Sequence, residues 1–467
     1  MSHRTTCLLA VLSLLLSCDA DPAPIPPDTD DPYATLAREI HTETARTWAA
    51  YETYAWPHDN LLPLSKGYRD WYAEPLAISP IDGYSTLRLM GMDTAAARIE
   101  QYVADSLDFN RDLDVKVFEV NIRVLGGLLA MYAETGNPAV LARARDFGDR
   151  MLPAFDSPTR LPYYHVNLRT GKPSGKIINV AEAGSYLMEF GILSYYTKDP
   201  VYYQTGKRAT LALNALRSDI GLFGRDVDVE TGEWTETNSM VGAYADSYFE
   251  YLYKAYLLFG DPELKALYDD NIAAVQRHLP DLRDSLLWYP RVDMHTGEPT
   301  QTEITLWDAY FPALLTLAGD VERAELAFNA WEQVLERHGV TPMVYNYGTD
   351  TVVNGYHQLN PEVIESAYYL YRATGDDAYR AFGRAYWERL KDCCRTDVAF
   401  THLSDVRDNS RDDEMSTFFI VETLKYFYLL FGGAPEVNPD TYVFTTEAHP
   451  FAKAAFDQAL ARERLWF

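Results

Sequence analysis

Cysteine is nearly absent from this chain: 467 residues hold four. Cys7 and Cys18 fall at the extreme N-terminus, and Cys393 and Cys394 are neighbours, so no disulfide framework can staple distant segments together. Positive charge is also scarce. Lys and Arg number 41 against 68 Asp and Glu, a formal net charge of −27, and a surface this acidic repels a phosphate backbone, which excludes nucleic acid as a partner. The apolar run at residues 7–16 is too short to span a bilayer. Against these shortages stand 47% apolar residues, ample for a globular core, and an aromatic set led by Tyr, at 34 against 20 Phe and 9 Trp. Tyr offers an apolar face and a hydrogen-bonding rim, the combination that recognises sugars.

The N-terminus reads as an export signal, with Arg4 in a short basic region ahead of the apolar run. Leu15-Leu16-Ser17-Cys18 resembles the bacterial lipobox, which implies a lipoprotein signal peptide over residues 1–17 and lipid on Cys18. Residues 18–32 carry five Pro and five Asp after the cysteine and predict an extended tether. The expected location is therefore the bacterial cell envelope, with the membrane touched only through the lipid. Residues 33–467 are expected to form one domain, acting as a monomer.

One punctuation mark recurs through that domain. A helix-like apolar run stops at a turn residue, at 91, 136, 198, 260, 319, 375 and 432, and a second helical run follows. Six of the seven turn residues are Gly and one is Lys198. Their spacing of 45 to 62 residues suits two helices with their loops. Runs before the corners are apolar nearly all round and predict buried inner helices; runs after them are amphipathic and predict outer ones. Seven such hairpins describe an all-α (αα)7 barrel. A solenoid is the alternative, but its end repeats would need polar caps, and none is evident.

Each inner run carries acid: Asp82, Glu119, Glu182, Asp246 with Glu250, Asp308, Glu362 with Glu365, and Glu422. Carboxylates on buried helices cost free energy unless paired or used. Their common position, well before each corner, gathers them at one end of a barrel, a setting suited to a polyol and a hard cation. Taken singly the signals are weak, since Glu119 and Arg123 at i, i+4 can be an ordinary ion pair, as can Glu250 and Lys254. In the Asn-Pro-Glu segment at residues 360–362, Asn360 reads as a helix N-cap with Pro361 as the first helical residue.

Segments at residues 117–132 (VFEVNIRVLGGLLAMY), 152–163, 245–258 (ADSYFEYLYKAYLL), 360–376 (NPEVIESAYYLYRATGD), 422–431 and 442–450 (YVFTTEAHP) resemble glycoside hydrolase family 47, the class I α-mannosidases. They lie in the family's order. The resemblance implies an (αα)7 barrel and inverting, calcium-dependent hydrolysis of terminal α-1,2-linked mannose from mannose-rich glycans. It carries the catalytic roles to Glu119 as general acid acting through water, to Asp246 as a second candidate for that role, and to Glu362 as base. It places calcium on Thr446. Arg123, Glu250, Glu365, Phe418, Glu422 and Glu447 fall on positions that line the mannose site or order its waters. The chain departs from the processing mannosidases at Tyr244 and Asn360, where they have Arg, at Ser85 and Ser416, and across residues 306–320, which look more like the branch of ER-degradation-enhancing mannosidase-like proteins. Those departures sit in the outer part of the site, and they keep open a second reading, a protein that binds mannose glycans with little or no turnover.

Overall fold

The computed structural model describes residues 31–467. The signal peptide, Cys18 and all but the last two residues of the expected tether lie outside the described residues. Asp31 is already tied to the domain, since its carboxylate pairs with Arg380 at 2.7 Å and accepts the Tyr33 N–H. No described helix is long and apolar enough to cross a membrane.

The described residues begin with α1 (Ala34–Tyr54). Six hairpins follow. They are α2 (Ile78–Leu89) with α3 (Asp93–Asp105); α4 (Val117–Val120), continued through a π turn into α5 (Gly126–Thr135), with α6 (Pro138–Met151); and α7 (Val180–Gly184) and α8 (Leu187–Thr197) with α9 (Val201–Asn214). Next come α10 (Asp246–Phe259) with α11 (Pro262–His278), α12 (Phe311–Leu317) with α13 (Val321–His338), and α14 (Glu362–Thr374) with α15 (Asp377–Cys394). The last inner helix is α16 (Leu424–Leu430), and a short α17 (Gln458–Leu465) is the last described element. Strands are two to four residues long and pair into small two- and three-stranded sheets. Several lead directly into inner helices, as Asp114–Lys116 leads into α4 and Ile177–Asn179 into α7.

All seven corner residues have positive φ, from 59° at Lys198 to 91° at Gly319. This is the left-handed conformation that ends a helix and lets the chain turn back. Six hairpins follow the expected inner-then-outer order, and the seventh does not. After Gly432 the chain runs into a loop and a hairpin, Tyr442–Phe444 paired with Pro450–Ala452, which packs against α10 and α5 inside the ring. The seventh outer place is taken by α1, which packs on α16 and is held by Glu39 to Lys391, Glu43 to Arg395 and Glu52 to Arg98. Burial explains the choice, because α1 has an apolar stripe including Ile40, Trp48 and Tyr51 that α16 covers. The inner helices close into a ring, with α2 against both α5 and the π turn ahead of α16. At the first of these contacts a Cβ on Gly127 would stand 2.5 Å from the Ile81 carbonyl oxygen, so only glycine permits the approach.

Two inner runs contain a π turn. π turns at Asn121–Leu125 and Phe419–Thr423 each add a residue to the turn. One carries Arg123 and the other Glu422, in keeping with the concentration of such turns at functional sites.

Candidate active site

The short strands and the N-terminal ends of the inner helices surround a cavity of about 520 Å³. The ten sequence-predicted site residues within the described chain, from Glu119 to Glu447, all line it. Nine carboxylates stand on the wall, against two cations, Lys116 and Arg123. Of the acids read from the inner runs, Asp82 and Asp308 are exceptions. Asp308 is spent locally, accepting the Thr305 N–H at 3.0 Å and its hydroxyl at 2.6 Å, and so caps its own turn. Asp82 lies beneath the floor, fully buried, between Thr417, His449 and Arg123. Asn360 is also placed differently: Pro361 takes the N-cap position, and the Asn360 amide donates to Glu362 at 3.3 Å instead of capping the helix.

Exposure divides the lining residues. Glu119, Asp246, Glu362 and Thr446 are half-buried and present surface to the cavity, whereas Glu250, Glu365, Glu422 and Glu447 are buried behind it. The four N-terminal helix positions of Glu119, Glu182, Asp246 and Glu362 also face the positive ends of their helices, which favours the carboxylates there.

Glu119 is gripped on two sides. Its Oε2 accepts from Arg123 Nε at 3.2 Å, and its Oε1 meets Lys116 Nζ at 3.2 Å. Burial would raise its pKa, but Arg123 and Lys116 outweigh that and hold it below the usual carboxylate value. Lys116 also pairs with Glu182 at 3.1 Å. Arg123 in turn contacts Glu447 and packs between the rings of Trp71 and Phe418, 5.5 and 5.7 Å from their centroids. Asp246 and Glu362 have no such cations. Burial, reinforced by Glu250 and Asp308, pushes Asp246 up to about 8 despite the Ser247 N–H it accepts. Burial likewise pushes Glu362 to about 8, with Glu365 and Asp246 adding to it. Two carboxyls are thus held in the protonated range and one in the ionised range within a single cavity.

At the base, Thr446 sits at the tip of the C-terminal hairpin. Its hydroxyl donates to Glu250 at 2.9 Å, and its N–H points at the Tyr251 hydroxyl at 3.4 Å. Tyr251 donates to Glu189 at 2.6 Å, and Asn121 holds the other Glu189 oxygen at 2.9 Å. From the buried floor Lys425 donates to the Ala448 carbonyl at 2.6 Å and fixes the turn after Glu447. Three polar atoms on residues of the wall have no partner within the protein: Glu362 Oε2, Asn360 Oδ1 and the Tyr310 hydroxyl. Buried polar groups are nearly always satisfied, so these three call for a polar ligand. The donor set around Thr446 is entirely oxygen, with Glu250, Glu365, Glu422 and Glu447 close behind and their pooled negative charge only partly met by Lys254 and Arg123. That chemistry fits a hard divalent cation. A second acidic group, His402 with Asp412 and Glu414, is already committed to Ser416, Tyr356, Asn60 and Arg69.

Lys116, Glu189 and Lys425 escaped the sequence reading, and Tyr310 was included only as part of the stretch at residues 306–320. Lys116 carried a signal, since it stands three residues before Glu119 at the start of the same inner run.

The family description "Glycosyl hydrolase family 47" matches residues 43–453, a span that holds every site residue described above. ER degradation-enhancing α-mannosidase-like protein 2 of Homo sapiens is 36% identical over 451 residues, covering 88% of this chain and 77% of that protein. Mannosyl-oligosaccharide 1,2-α-mannosidase IB of Homo sapiens is 32% identical over 438 residues, covering 86% and 67%. Among solved structures, the α-1,2-mannosidase from Trichoderma reesei superposes with a TM-score of 0.82 at 27% identity, covering 90% of this chain and 99% of that one, and shares its (αα)7 barrel. Cellobiose 2-epimerase from Bacillus thermoamylovorans, at a TM-score of 0.56 and 11% identity, has a similar fold alone. With motifs, barrel and cavity in agreement, the chain belongs to glycosyl hydrolase family 47, and it is a glycoside hydrolase.

Proposed function

We propose that this enzyme removes terminal α-1,2-linked mannose from mannose-rich glycans, inverting the anomeric centre with calcium bound at Thr446. The observation that carries the reading is the convergence of three half-buried carboxylates, Glu119, Asp246 and Glu362, with Thr446 on one cavity whose wall holds unpartnered polar atoms.

Inversion needs one carboxylic acid to protonate the departing oxygen and one carboxylate to activate water on the opposite face of the sugar. Asp246 is the better placed donor: with a pKa near 8 it carries a proton at neutral pH. Glu119, held ionised by Arg123 and Lys116, can steady positive charge developing on the sugar ring, and through a water it can also relay a proton. Glu362 serves as base in its ionised form, its free Oε2 accepting a proton from the attacking water; burial opposes that form, and a cation held at Thr446 would favour it. Calcium, when bound, supplies positive charge that lowers carboxylate pKa values and orients vicinal sugar hydroxyls. Phe418 and Trp71 flank Arg123 and keep it fixed against Glu119 and Glu447.

Mannose release from α-1,2-mannobiose, with calcium and with EDTA, tests the activity, and proton NMR of the first-formed anomer tests inversion. β-Mannose as first product is expected; α-mannose refutes the mechanism. Tight binding without release by the wild-type protein would favour the glycan-binding reading, which the replacement of outer-site arginines by Tyr244 and Asn360 motivates. Anchoring through lipid on Cys18 rests on the sequence alone, and mass spectrometry of the mature N-terminus decides it.

A further inference from the structure

Tyr244 is unlike the rest of the cavity wall. It is 41% exposed, one of two large apolar side chains on the rim left open to solvent, with Ile177 as the other. Its φ is +82°, a left-handed conformation that a bulky residue adopts only when its surroundings impose it. Those surroundings are identifiable. Ala245 and Asp246 both donate their N–H groups to the Gly242 carbonyl, closing a tight turn. A side chain on Gly242 would collide with the Asp308 carboxylate, so Asp308 packs the turn from behind. The Tyr244 carbonyl accepts the Ala181 N–H at 2.9 Å, which pins the turn to the start of α7. Arg225 is set against the Tyr244 ring, its guanidinium carbon 5.1 Å from the centroid, and is itself locked by Asp226 at 2.6 Å and Glu236 at 3.4 Å. Tyr244 forms part of the wall and Arg225 does not, so the cation backs the ring from outside the cavity.

The rigid ring stands two residues before Asp246. In an exo-acting pocket the terminal sugar fills the closed end and the leaving sugar the mouth, so an exposed ring on the rim meets the leaving sugar and not the terminal one.

We propose that Tyr244, backed by Arg225, is a stacking platform for the sugar ring to which the terminal mannose is attached, and that it reads the apolar C–H face of that ring and not the arrangement of its hydroxyls. A specificity of this kind tolerates variation in the second sugar, because every pyranose has a C–H face whereas hydrogen-bonding partners demand one stereochemistry. The identity of the terminal sugar rests on the mannosidase reading; the platform itself rests on the geometry of Tyr244.

Calorimetry of two non-reacting probes in calcium-containing buffer tests the inference: methyl α-mannoside, which fills only the terminal position, and sulfur-linked α-1,2-mannobiose, which adds the second ring. The wild-type protein is expected to bind the disaccharide about tenfold more tightly than the monosaccharide. Tyr244→Ala is expected to erase most of that ratio with the methyl α-mannoside affinity intact, and Tyr244→Phe to keep it. A ratio unchanged in Tyr244→Ala, a loss shared equally by both probes, a loss repeated in Tyr244→Phe, or a wild-type ratio near one would each overturn the platform. Failure of the wild-type protein to hydrolyse the oxygen-linked disaccharide would instead sink the mannosidase reading, and the binding ratio would stand apart from it.

Discussion

Replacing Asp246 by Asn is the sharpest test of how the cavity divides its chemistry. The amide keeps the size of the carboxyl and can still accept the Ser247 N–H, now at 2.8 Å, so the turn is expected to hold. It cannot donate an acidic proton. With a pKa near 8, Asp246 is about nine-tenths protonated at pH 7 and about one-tenth at pH 9. The wild-type rate on α-1,2-mannobiose should therefore fall by about a factor of ten per pH unit on the alkaline side once Asp246 ionises, with the onset no higher than about pH 8 because bound calcium favours ionisation. General acid catalysis is worth roughly 10² to 10⁴ in rate, about 2.7 to 5.5 kcal/mol of barrier. Asp246→Asn should lose that much on the disaccharide. On α-mannosyl fluoride, whose leaving group departs without protonation, it should lose no more than roughly tenfold, since only the acid step is removed. Initial rates on the two substrates from pH 5 to pH 9.5 give both readouts. An equal loss on both substrates would refute the assignment. So would the same substrate-dependent pattern in Glu119→Gln with Asp246→Asn nearly normal; the proton would then come from Glu119 through water.

Three further outcomes follow from the same geometry. Glu362→Gln should abolish release from both substrates, because water activation is common to them, while retaining calcium-dependent protection against thermal unfolding; residual activity above about 1% of wild type would contradict its role as base. In EDTA the protein should unfold at lower denaturant concentration at pH 8 than at pH 5. Asp246, Glu362 and Glu365 have folded pKa values raised to about 8, 8 and 7, so the stability they contribute is complete below the ordinary carboxylate range and is lost as pH rises through those values. Urea midpoints that coincide at the two pH values, or that do not respond to calcium at pH 8, would count against a charge-strained site. Gly127→Ala should cost about 1 to 3 kcal/mol by pushing α5 off the Ile81 carbonyl, measurable in the same unfolding assay.

The corners were legible because the left-handed turn is a local requirement that Gly meets at little cost, and even Lys198 was found at its place between two helical runs. The inner acids were legible because carboxylates on apolar runs stand out. Their fates were not. Asp308 reads like Glu182 or Asp246 until Thr305 three residues earlier is seen to consume it, although a Thr-x-x-Asp box ahead of an apolar run was there to be noticed. Asp82 sinks below the floor because Thr417, His449 and Arg123 converge on it from three distant segments. The different protonation of Glu119 and Asp246 was likewise hidden: the three- and four-residue spacings of Lys116 and Arg123 from Glu119 could be read, but nothing in the sequence showed that Asp246 has no such cation within reach.

Closing the ring with α1 gives the barrel a seam between an early and a late segment of the chain. The first described helix rests on a partner that comes much later in the sequence, and one of its fastening ion pairs, Lys391 to Glu39, joins residues 352 positions apart. Until α16 exists, the apolar stripe of α1 has nothing to cover it, and closing so long a loop is entropically slow. The barrel therefore cannot be finished progressively, hairpin by hairpin, as a solenoid can. Thr446 and Glu447 follow that inner helix in sequence, so the cavity is completed only after α16 has been made, and a molecule interrupted before α16 has neither a sealed wall nor a floor to its cavity.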